Sequence, residues 1–90
     1  MPRVSTQVTI VNRLGLHARP AMTFVDAASQ FACSVTVKRD DQQVDGKSIM
    51  HMMLLAATKG TVLEVICEGD DADKAAEALK KLVAAGFDEE

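Results

Sequence analysis

The sequence predicts an α+β fold, a single antiparallel sheet with all helices on one face, in two layers. Two patterns carry that prediction. Short stretches alternate polar and apolar residues with a period of two, and the stretches between them place apolar residues at helical spacing. Their order is strand, helix, strand, strand, helix, strand, helix, and a strand with one apolar face needs only one covering layer. Ninety residues make one domain, 1–90, and bury only about 60–65% of the surface the unfolded chain exposes.

Residues 4–11 open the chain as a strand, with Val4, Thr6, Val8 and Ile10 on one face and Ser5, Gln7 and Thr9 on the other. Asn12-Arg13-Leu14-Gly15 breaks it. A helix follows with Pro20 at its first position, where the missing N–H has no helical partner to lose. Ala21, Phe24, Val25, Ala28 and Phe31 form its apolar stripe, opposite Thr23, Asp26 and Ser29. Cys33, Val35 and Val37 alternate with Ser34, Thr36 and Lys38 in a second strand, and Asp40-Asp41 turns it into a short return arm, 42–45.

Ser48 is a good N-cap for a second helix, which is expected to run to Thr58-Lys59-Gly60, where glycine can take the left-handed cap conformation. Residues 61–68 form a third clear strand, with Leu63, Val65 and Cys67 inward and Glu64 and Glu68 outward. Gly69-Asp70-Asp71 supplies a turn and an N-cap. The last helix, 72–85, puts Ala75, Ala76, Leu79, Leu82 and Val83 on one stripe against Lys74, Glu77, Lys80 and Lys81. Gly86 ends it, and Phe87 folds back ahead of the acidic tail Asp88-Glu89-Glu90.

Composition narrows the functional classes. Apolar residues make up 48% of the chain without Trp or Tyr, and 10 basic residues face 13 acidic ones for a formal charge of −3. With no basic block and no aromatic platform for stacked bases, nucleic-acid binding is disfavoured. No stretch resembles a signal peptide or approaches the roughly 20 apolar residues of a membrane span. Cys33 and Cys67 are too few and too far apart for a disulfide framework or a zinc motif, so a cytoplasmic protein with reduced thiols and no metal or cofactor is expected.

The chemistry concentrates in Gly15-Leu16-His17-Ala18-Arg19-Pro20-Ala21. His17 falls just ahead of a helix, where free N–H groups and the positive dipole end favour an anion. A neutral imidazole has a lone pair that can attack phosphorus. Amides near Ala18 and Arg19 can donate to phosphoryl oxygens, and the Arg19 guanidinium adds a charge that does not titrate. No second acid–base group is present to activate water, and no glycine loop cradles a nucleotide. The residues can therefore hold a phosphoryl group without choosing its fate, which describes a carrier and not an enzyme.

The second helix is too apolar for its place. Ile49-Met50-His51-Met52-Met53-Leu54-Leu55-Ala56-Ala57 has one polar residue. Burying Ile49, Met52 and Leu55 leaves Met50, Met53 and Leu54 near solvent, a flexible surface suited to docking several partners in turn.

The seven-residue motif resembles the active-site signature of HPr-type phosphocarriers of the bacterial phosphoenolpyruvate phosphotransferase systems. The resemblance continues through Asp45-Gly46-Lys47-Ser48-Ile49-Met50 and Ala57-Thr58-Lys59-Gly60 to the final helix. It implies a β-α-β-β-α-β-α open-faced sandwich with strand order 1-4-2-3. It further implies that His17 is phosphorylated at Nδ1 by an enzyme I-type protein and passes the group to a IIA-type protein. Thr9-Ile10-Val11-Asn12-Arg13-Leu14-Gly15 and the ending Gly86-Phe87-Asp88-Glu89-Glu90 look like the nitrogen-branch carrier, whereas Lys47-Ser48-Ile49-Met50 looks equally like carriers modified on serine by an HPr kinase/phosphorylase.

Ser48 accordingly has two readings, an ordinary N-cap and a regulatory phosphorylation site whose phosphate would bring about two negative charges beside the apolar patch. His51 is read as a solvent-facing residue with a contact role, and Lys47 and Lys59 as solvated surface lysines. The implied strand order brings Cys33 and Cys67 close, as small core residues. A single small presenting face suits a monomer. The alternative class is a regulatory protein-binding module whose affinity is toggled by phosphorylation at His17 or Ser48.

Overall fold

The computed structural model describes residues 2–88. Strand β1 (Arg3–Thr9) turns its even-numbered residues inward, and its ladder runs on past the strand, with the Ile10 N–H donating to Thr61 O at 2.9 Å and the Gly60 N–H to Ile10 O at 2.7 Å. Helix α1 (Ala18–Ala28) follows, then strands β2 (Ser34–Arg39) and β3 (Gln42–Asp45), joined by a hairpin whose Asp40 takes a positive φ. Helix α2 (Ile49–Leu54), strand β4 (Val62–Glu68) and helix α3 (Ala72–Ala84) complete the order, and a short 3-10 turn at Gly86–Asp88 closes it.

The sheet order is β1-β4-β2-β3 and every pairing is antiparallel, as the resemblance implied. The late strand β4 inserts between β1 and β2, so both of its pairings rest on contacts distant in sequence. α3 packs on β1 and β4, α1 packs against α2 and α3, and α2 lies beside β3. Between the layers sit Val35, Val37, Leu63, Val65 and Cys67 from the sheet and Phe24, Met52, Leu55, Leu79 and Val83 from the helices, all buried. Phe87 folds back as expected and is buried at the edge of this core, in a left-handed conformation beside Gly86. Glu89 and Glu90 of the expected acidic tail lie outside the described residues.

Four local expectations are corrected. α1 begins at Ala18, with His17 itself as N-cap, so Pro20 is the third helical residue. None of the first-turn N–H groups has an intrahelical acceptor, so proline is tolerated there as well as at the first position. α2 stops at Leu54, well short of Gly60; Ala56, with φ 48°, makes the left-handed exit. Ile49, expected in the buried stripe, is 38% exposed, because a helix this short buries only Met52 and its cap residue Leu55. Asp71 occupies the cap position of α3 but makes no side-chain cap bond; its carboxylate instead accepts the Ala32 N–H at 2.8 Å and the Cys33 N–H at 2.9 Å. Those bonds, Ala32's first, hold the Asp71 carboxyl below the usual carboxylate range.

Cys33 and Cys67 are both buried and free. Burial, reinforced by the neighbouring thiol, pushes Cys67 up to about 11. Among the described residues no helix is long and apolar enough to cross a membrane, and no group of three His, Cys, Asp or Glu side chains is placed to hold a metal ion.

Candidate functional site

The site is built on the turn between β1 and α1. Asn12 is buried and donates from Nδ2 to the Gly15 carbonyl at 2.7 Å, while the Gly15 N–H returns to Asn12 O at 3.2 Å. The Leu16 N–H donates to Ala57 O at 2.8 Å, which ties the turn to the chain leaving α2. Gly15 sits at φ +72°, and a Cβ there would lie 2.5 Å from Ala57 O and 2.9 Å from the Thr58 Cα. Only glycine lets the two backbones come this close.

His17 follows from that packing. Its N–H donates to Gly15 O at 3.0 Å, and its carbonyl accepts the Ala21 N–H at 3.0 Å. The backbone is extended there, the residue is half-buried, and the imidazole makes no cap bond to the helix. The first helical turn thus presents the N–H groups of Ala18 and Arg19 as donors without an intrahelical acceptor, Pro20 contributing none. No acidic residue lies in that turn to compete with an incoming anion. Arg19 is exposed, its carbonyl accepting from Thr23 Oγ1 at 3.0 Å.

The second part is α2. Its exposed face carries Met50 (79%), Leu54 (65%) and Met53 (46%), as the sequence predicted. Buried Met52 and Leu55 anchor the helix, which packs against α1, and its trailing segment backs the His17 turn. At roughly 9 Å long, α2 separates Ser48 at its start from the His17 turn at its end. Ser48 Oγ accepts the His51 N–H at 3.3 Å, an ordinary cap bond. His51 is exposed and also accepts the Asp45 N–H on Nδ1 at 3.2 Å. Lys47 is not a solvated lysine: its Nζ donates to Phe31 O at 2.7 Å, pinning the chain ahead of α2 to the chain leaving α1. Lys59 is exposed.

Two exposed apolar residues flank His17 in sequence and are not singled out by the apolar periodicity of the sequence. Leu14 is 65% exposed in the turn, and Met22 is 50% exposed on α1, four residues after Ala18. The signal for Met22 was present, because that position belongs to the polar face of the helix and carries an apolar residue.

Comparison with known proteins bears on this geometry. A sequence model of the family described as "PTS HPr component phosphorylation site" matches residues 4–85. Phosphocarrier protein HPr of Pseudomonas aeruginosa is 50% identical over 84 residues, covering 92% of this chain and 93% of that one. Phosphocarrier protein NPr of Shewanella violacea is 36% identical over 89 residues, covering 99% and 98%. Among solved structures, HPr of Thermoanaerobacter tengcongensis superposes with a TM-score of 0.92 at 41% identity, over 97% of this chain and 98% of that one.

Proposed function

The chain belongs to the HPr family of phosphocarriers of the bacterial phosphotransferase system, and on that premise we propose that His17 is its phosphoryl acceptor. The observation that carries the reading is the position of His17 at the α1 N-cap, next to the Ala18 and Arg19 amides, which have no intrahelical acceptor, and the exposed Arg19. Nδ1 of the neutral ring attacks the phosphorus of a phosphorylated enzyme I-type donor. The new N–P bond forms as the donor's bond to phosphorus breaks, and the donor keeps that electron pair. Ala18 and Arg19 then hold the phosphoryl oxygens through backbone N–H groups, with the guanidinium opposing their charge. The same exchange in the opposite sense delivers the group to a IIA-type protein of the sugar or nitrogen-regulatory branch.

Both partners must reach the same ring, and Met50, Met53 and Leu54 offer them one adaptable apolar surface beside it. Phosphorylation of Ser48 by an HPr kinase/phosphorylase would replace its cap oxygen with a dianion at the start of that surface and weaken docking. The carrier works as a monomer in the cytoplasm. The exposed face of α2 also favours a second reading, a regulatory module whose partner affinity is switched by phosphate at His17 or Ser48.

Incubation with phosphoenolpyruvate and enzyme I should add one acid-labile phosphate, absent in His17→Ala. A His17→Ala protein that still takes the label removes His17 as acceptor. A labelled wild type that can load no IIA-type protein moves the assignment to the regulatory module.

A further inference from the structure

A six-residue helix does not sustain itself, and the C-terminal end of α2 is held from outside by the β2–β3 hairpin. Arg39, the last residue of β2, donates from Nη1 to Leu55 O at 2.6 Å and to Ala56 O at 3.2 Å. Gln42, the first residue of β3, donates from Nε2 to Leu54 O at 3.1 Å. These carbonyls are ones a helix end leaves without partners, and a cation suits its negative dipole end. Between the two carbonyls that Arg39 holds lies Ala56, at φ 48°, a left-handed conformation that a residue with a Cβ avoids. One guanidinium therefore grips the backbone on both sides of the strained residue. The next carbonyl, Ala57 O, is the one that receives the Leu16 N–H and abuts Gly15.

We propose that Arg39 is a positioning residue for phosphoryl transfer. By stabilising the left-handed exit at Ala56 it places the Ala57 carbonyl, and through Leu16 and Gly15 it sets the His17 ring at the α1 N-terminus. Arg39 touches neither the ring nor a partner; it acts through backbone it holds. The proposal rests on His17 being the acceptor, and one of its readouts is independent of that.

In Arg39→Ala the Leu16 amide should exchange with solvent about tenfold faster while the Val65 amide at the centre of the sheet is unchanged. Transfer from phosphorylated enzyme I should fall about tenfold, because a small misplacement of a reacting group is expensive. Adding Ala56→Gly to Arg39→Ala should restore both, since glycine enters the left-handed region without penalty. Unchanged Leu16 exchange in Arg39→Ala overturns the clamp, and faster Leu16 exchange with wild-type transfer overturns the positioning role. Failure of the added Ala56→Gly to restore either readout overturns the mechanism through Ala56. If Arg39→Ala loses Val65 protection as well, Arg39→Lys carries the same test: it should show intermediate changes in both readouts, and wild-type values for both overturn the proposal. A His17→Ala protein that keeps its phosphate defeats the acceptor assignment while leaving the exchange result intact.

Discussion

Gly15 shows most directly how one residue shapes the site. Its role as a strand breaker is visible in the sequence, but the reason no other residue fits is 42 positions away, at Ala57 O. Gly15→Ala forces a Cβ into that carbonyl and into a left-handed backbone, at a cost of roughly 1–3 kcal/mol. Urea denaturation should record that loss, and phosphoryl transfer should fall with it because the Leu16 bond to Ala57 must lengthen. Wild-type stability in this variant would mean that the two segments separate freely and that Gly15 does not hold the turn. That His17 and Arg19 stand at a helix start could be read from their neighbours, because the local structure of a helix start depends on residues adjacent in sequence. The exposure of Leu14 and Met22 could not be read in the same way, because it depends on what packs nearby.

At the level of the element, α2 was legible in composition and illegible in extent. Its excess of apolar residues and its Ser48 cap are local properties, and both are found as read. Its end is not local. The glycine at position 60 is a legitimate cap candidate, but Arg39 and Gln42 cap the carbonyls six to four residues earlier and let Ala56 turn the chain. Side chains that arrive from another hairpin leave no mark on the helix's own sequence. The exposed face makes its own prediction. Leu54→Ser, at a position 65% exposed, should change stability by less than about 0.5 kcal/mol. The concentration of carrier that half-saturates enzyme I should nonetheless rise by about tenfold, as loss of an interface anchor does. An unchanged half-saturation value would remove Leu54 from the docking surface.

Across the whole molecule, the buried thiols link core packing to alkaline stability. Cys67 titrates at about 11 in the folded chain against 9.0 for an unperturbed thiol, chiefly through burial. Because the folded value is the higher one, the protonated thiol favours the native state; its contribution is whole below pH 9 and is lost as the pH rises through 11. The chain has no tyrosine to add its own titration there. Cys67→Ala should therefore melt lower than wild type at pH 7, from the cavity it leaves, yet lose less of its melting temperature between pH 9 and 11. Cys33, also raised by burial and by Asp71, remains to give the variant a residual slope. Equal slopes in the two proteins would disprove the linkage.

The sequence by itself determined the element order, the inward faces of β1, β2 and β4, the two-layer α+β class and the identity of the chemical motif, because periodicity, turn residues and caps act over a few positions. Recognition of the family supplied the strand order, which no local pattern encodes. Tertiary structure alone decided that Asp71 serves the loop after α1 instead of its own helix, that Lys47 is anchored, that α2 ends at Leu54, and that the His17 turn leans on Ala57. Each of these is a hydrogen bond or backbone contact between segments separated in the chain, which periodicity, turn residues and caps do not encode.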